Sequence, residues 1–239
     1  MFAGIFKGAH LLLTFLLLIL ISFYIRIEGM DKEQRFAVYW ALLMIMLFIE
    51  WGVAFVWTYV VNRLINAQVK EYYKTGEYDT YIEKAENLIV FSYGIIQRNL
   101  INNNISSAYA KKHEFEKAYY YSGKIKLRIS GNKIYRCAFI MNRIDILFMM
   151  GNKYKALEEY EKCPDAAQID ETLKKLPHMI LPWLFVQACV AFENKDTDKG
   201  RALYNELASY RENEWEDNID KALELIEERY LPKEENVVE

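Results

Sequence analysis

The sequence predicts an all-α protein built from a membrane hairpin and a helical-repeat domain, and three observations predict it. Two long apolar runs fall within residues 1–61. No later segment sustains the period-2 alternation of a strand, whereas apolar residues recur at i, i+3 and i+4 throughout. A similar polar turn also returns four times along the remainder of the chain.

The first apolar run covers residues 5–25 and carries one strong charge, Lys7, near its start. About 20 apolar residues suffice to cross the hydrocarbon core as a helix. No small-residue cleavage site follows, so the run is expected to stay in the chain. A polar stretch from Arg26 to Arg35 precedes the second run, 36–61, whose one ionisable residue is Glu50. Two spans joined by so short a connection form an antiparallel hairpin, with both ends on one side. The flanks of that side offer Lys7, Arg63, Lys70 and Lys74 against Arg26, Lys32 and Arg35 in the connection, which favours a cytoplasmic domain.

A carboxylate at mid-membrane depth is costly and is expected to be neutralised or partnered. Counting from the shared membrane face places Thr14 at the depth of Glu50. The expectation is therefore a contact from Glu50 to Thr14 or to a second copy of the chain, which makes a homo-oligomer through the hairpin one predicted assembly.

Residues 62–231 read as the helical domain and 232–239 as an acidic, disordered tail. Short breaks carrying Gly, Asn or Pro cut this region into helices. The turns Thr75–Tyr81, Lys112–Ala118, Met150–Ala156 and Asn194–Gly200 align with one another. With Tyr81, Ala118, Ala156 and Gly200 equivalent, the spacings are 118 − 81 = 37, 156 − 118 = 38 and 200 − 156 = 44. Periods of this size signify stacked helical pairs, about four here. A stripe of Trp215, Ile219, Ala222, Leu223 and Ile226 within 213–230 predicts a capping helix, and the second span runs without a breaker into 63–73, the first helix of the first pair.

On these residues the domain resembles the tetratricopeptide repeat family. Gly151-Asn152-Lys153-Tyr154-Lys155-Ala156 is the best match to its turn, with Tyr154 offset by one, while Tyr109, Phe115 and Ala118 fit the second unit and Tyr72, Gly76 and Tyr78 the first. The fourth turn lacks both the aromatic and the Ala. The resemblance implies an α-solenoid whose small turn residue lets paired helices approach and whose turn aromatic packs beneath the next unit. It also implies that the first helix of each pair lines a peptide groove. The groove residues would be Arg63, Asn66, Lys70, Tyr73 and Lys74 in unit one, Asn103, Asn104 and Ser107 in unit two, and Met141, Asn142 and Asp145 in unit three. Phe185, Val186, Cys189 and Phe192 would form an apolar floor in unit four. Amides can hold a peptide backbone and the bases a carboxylate.

Composition excludes other classes. A net charge of −3, with no Lys/Arg block longer than a pair, gives no footprint for nucleic acid. Cys137, Cys163 and Cys189 are too few and too widely spaced for a disulfide framework or a metal motif. The phosphate-loop, dinucleotide, zinc-protease and nucleophile-elbow motifs are missing, and His10, His113 and His178 stand apart. The expected protein is a non-enzymatic membrane adaptor without cofactor or metal. Its expected contacts are a protein or peptide partner and membrane lipid, the alternative being an accessory subunit of a transporter or secretion complex.

Overall fold

A computed structural model describes residues 14–15, 17–19, 21–22, 31–92, 94–129, 133–162, 177–211 and 219–231. Among these residues the fold is all-α. In chain order the helices are α1 (Lys32–Thr75), α2 (Tyr78–Phe91), α3 (Ile95–Lys111), α4 (Phe115–Gly123), a 3-10 turn (Leu127–Ile129), α5 (Lys133–Met149), α6 (Lys153–Glu161), α7 (Pro177–Glu193), α8 (Thr197–Ser209) and α9 (Ile219–Tyr230).

α1 is a single helix of 44 residues, roughly 66 Å long at 1.5 Å per residue and so about twice the thickness of a bilayer core. Asp31 starts it by accepting a hydrogen bond from the Gln34 amide at 2.8 Å. The helix thus begins inside the stretch expected to be a loop, because a good N-cap and the helix-forming Lys-Glu-Gln-Arg precede the apolar run. Among the described residues no part of its most apolar stretch is buried; Phe48, Trp51 and Phe55 are 66%, 71% and 66% exposed. A core helix of that composition would be covered. Its lower third does enter the core, through Val61, Ile65 and Tyr72.

One helix long and apolar enough to span, not a two-helix hairpin, is what the described residues contain. Most of the run 5–25 lies outside them, although Thr14, Phe15, Leu17, Leu18, Ile19, Ile21 and Ser22 are helical. The tail 232–239, Trp215, Cys163 and His10 also lie outside the described residues.

The four aligned turns share one backbone geometry. Residues five before the equivalent positions, Gly76, His113, Gly151 and Lys195, all adopt positive φ, at 68°, 58°, 78° and 63°. The residues that follow, Glu77, Glu114, Asn152 and Asp196, all have φ between −80° and −91° with ψ between 61° and 76°. Each then accepts the amide of the equivalent position, Tyr81, Ala118, Ala156 or Gly200. Three of the turns close with the paired bonds of a Schellman motif, such as Asn152 N to Leu147 O and Gly151 N to Phe148 O, both 2.9 Å; the first closes with the single bond from Gly76 N to Tyr72 O. The fourth turn therefore has the shape of the others despite its different residues.

Each helix packs on its neighbour in sequence from α1 to α6 and again from α7 to α9, and α1, α3, α5 and α7 pack successively on one another. Ala118 and Ala156 are fully buried where paired helices cross, and Phe115 packs against the cluster of Ala110, Ala118 and Ile146, the last from α5. Tyr154, by contrast, is 80% exposed: the one-residue offset turns it by about 100° around the helix and away from the core. α9 covers the end of the array by packing on α7 and α8 and burying Ile219, Ala222, Leu223, Leu225 and Ile226 in the core.

Candidate binding surface

The expected groove divides into an exposed part and a seam between helices. Arg63, Asn66, Lys70 and Lys74 are exposed along α1, and Arg63 stacks over the Tyr59 ring at 5.8 Å. The Tyr73 side chain lies outside the described residues. In the next two units the amides face one another. Asn142 on α5 donates from Nδ2 to Asn103 Oδ1 at 3.2 Å and to Ser106 Oγ at 3.3 Å, and its Oδ1 accepts from Ser107 Oγ at 3.4 Å. Both ends of that amide are committed to joining α3 to α5. Asn104 and Asp145 are half-buried beside this seam.

Two assignments are corrected. Met141 is fully buried, since it sits one residue from Asn142 and so faces the core. Phe185, Val186 and Cys189 are likewise buried and do not form an open floor, because they belong to the core shared with α5 and α9, where the Phe148 ring meets Phe185 edge-on at 6.4 Å. Phe192 stacks on Tyr230 of α9 with ring centroids 5.0 Å apart and planes within 6°.

Buried amides on α3 escaped the sequence reading. Gln97 donates to the Thr58 carbonyl and to Asn62 Oδ1 on α1. Asn99 clasps the 3-10 turn, donating to the carbonyls of Lys126 and Ile129 and accepting from the Lys126 amide. The available signal is that Arg-Asn-Leu-Ile-Asn-Asn-Asn spreads amides around the whole helix, so no face of α3 is purely apolar.

In the apolar segment, Thr14 Oγ1 donates to Glu50 Oε1 at 2.6 Å, so those two residues are brought together. A partly buried titratable group elsewhere surrounds Tyr119. Burial alone would raise its pKa, but Lys155 and Arg143 outweigh that and hold it below the usual phenol range. Arg143 also faces Glu159 of α6 at 3.7 Å within the third pair, while its bond to the Tyr119 hydroxyl of α4 at 3.4 Å joins the second pair to the third. Burial pushes the Cys189 thiol well above its ordinary range, and Cys137 is buried too; neither is placed as a nucleophile. Among the described residues no three His, Cys, Asp or Glu side chains converge as metal ligands. A shallow depression between α1 and α2, lined by Gln68, Glu71, Thr75, Thr80 and Lys84 among others, is too small for a ligand pocket.

Comparison with protein-family models, with curated proteins and with solved structures finds no match to this chain.

Proposed function

We propose that the protein is a membrane-anchored adaptor, in which a helical-repeat domain similar to the tetratricopeptide repeats presents a recognition face at the membrane surface and performs no catalysis. The continuity of α1 carries this reading. One helix leaves the apolar run and becomes, without a break, the first helix of the first pair. A rigid helix fixes the attitude of the domain to the bilayer, as a flexible linker would not. The recurrence of one turn geometry at Gly76, His113, Gly151 and Lys195 supports a solenoid of four pairs closed by α9. The Thr14–Glu50 hydrogen bond supports a second crossing beside α1, and the bases flanking the spans favour a cytoplasmic domain.

The recognition face is the exposed side of α1, with Arg63, Asn66 and Lys70 offering cations and an amide to an extended, acidic protein segment. Affinity purification of the full chain in mild detergent tests it. A companion recovered with the wild type and lost with Arg63→Glu/Lys70→Glu is the expected result; undiminished recovery removes the face.

The Thr14–Glu50 contact favours one alternative, an accessory subunit of a membrane complex that assembles through the apolar helices. Its signature is an integral-membrane companion that survives the α1 surface changes and is lost with Glu50→Leu.

A further inference from the structure

Residues 124–136 contain five bases, Lys124, Lys126, Arg128, Lys133 and Arg136, and no acid, in a chain of net charge −3. No two of these bases are adjacent, so a scan for contiguous blocks passes over them. All five are exposed. Between them stand Ile129, Ile134 and Tyr135, 47%, 36% and 41% exposed. An ordinary solvated face mixes both signs of charge and hides its larger apolar groups.

A ladder of hydrogen bonds fixes where the Lys126 to Ile129 part of this segment lies. Near the end of the apolar run of α1, the Thr58 carbonyl accepts from Gln97 Nε2 at 3.0 Å, and Trp57 Nε1 donates to the Phe91 carbonyl at 2.8 Å. The last turn of α2 and the first of α3 are thus held at the level where α1 leaves its apolar stretch. Asn99 lies two residues further along α3, about 3 Å of rise. It grips the basic segment through Lys126 N, Lys126 O and Ile129 O, at 3.0, 3.0 and 3.1 Å. The exposed Val90, Ile95 and Ile96 flank Phe91 and Gln97 at the same level.

Resting on the reading of α1 as a membrane span, we infer that this edge of the domain lies on the anionic surface of the same bilayer. The bases meet acidic lipid headgroups, while Ile129, Ile134 and Tyr135 settle at the interface. Basic residues near an anionic leaflet are attracted within a Debye length, and an amphipathic Tyr suits the headgroup region. The anchor would then be two-pointed, with α1 crossing the bilayer and the edge made by 124–129 and 133–136 resting on it.

The test is hydrogen–deuterium exchange on the full chain in nanodiscs of phosphatidylcholine alone and of phosphatidylcholine with phosphatidylserine. Amides in 124–136 should exchange more slowly on the anionic discs. That difference should be lost at high salt and in Lys126→Glu/Arg128→Glu, with 36–57 protected in every arm. The lipid comparison on the wild type needs no variant to fold. Equal exchange on both discs, or a difference that the variant retains, overturns the inference while protected 36–57 leaves the span standing. Free exchange of 36–57 in the discs overturns the span and the inference with it.

Discussion

Gly200 lies so close to the ring of Phe192 that a β-carbon on it would sit 2.7 Å from Cε1 and 2.9 Å from Cγ. The ring cannot readily yield, because it is stacked on Tyr230. Glycine at the fourth turn therefore does what alanine does at the second and third, with the missing methyl compensated by a larger ring. Gly200→Ala should destabilise the domain by about 1–3 kcal/mol through overpacking, read as a lower unfolding midpoint in detergent. An unchanged midpoint would mean that α7 and α8 can separate at no cost.

Ala156 and Tyr154 sit two residues apart in the same turn and should behave oppositely. Ala156 is fully buried, so Ala156→Leu forces about three extra carbons into the crossing of α5 and α6 and should lower stability by about 1–3 kcal/mol. Tyr154 is 80% exposed, so Tyr154→Ala should stay within about 0.5 kcal/mol of wild type. Urea unfolding of both variants checks the pair.

The second turn is laced by ion pairs, with Lys112 Nζ 2.5 Å from Asp79 Oδ1 and 2.7 Å from Glu114 Oε1, and Lys117 Nζ 2.5 Å from Glu114 Oε2. Lys112, and then Lys117, hold the Glu114 carboxyl below its usual range. A carboxyl depressed in the folded state contributes stability above its unfolded value, about 4.3, and loses that contribution as pH falls further. Asp79 first and Glu114 second raise the Lys112 ammonium, so its contribution is complete below about 10.4 and fades as pH climbs beyond. Glu114→Gln should therefore flatten the acid limb of the unfolding midpoint against pH. A limb of unchanged steepness would show the contact to be inert, and added salt should shrink the difference between the two proteins.

How much of this was legible in the sequence depends on whether the signal was local. The turns were, since a backbone that must reverse within a few residues leaves its mark as Gly76 and Gly151, and the spacing then located His113 and Lys195, where no glycine stands. The run of α1 into the first pair was legible as well, because no breaker interrupts it. Faces were harder to read. Met141 and Asn142 differ by one position, and only the packing of α3 on α5 decides that Asn142 joins the seam while Met141 enters the core. Phe185 and Cys189 resemble an open apolar floor until the core shared with α5 and α9, segments some forty residues away on either side, takes them in. Gln97 and Asn99 are buried for the sake of backbone groups at Thr58, Lys126 and Ile129, long-range partners that composition does not announce.

The central claim, that α1 crosses a bilayer and emerges as the first helix of the repeat domain, is tested most directly by single-cysteine labelling with a membrane-impermeant maleimide. Phe48→Cys, Trp51→Cys and Phe55→Cys replace side chains that are 66%, 71% and 66% exposed in the fold of the described residues, so their protection is expected to come from the bilayer. In intact membranes these three should stay unlabelled while Asn62→Cys, Asn66→Cys and Lys70→Cys react from the side of the domain. Prompt labelling of positions 48, 51 and 55 would contradict the account.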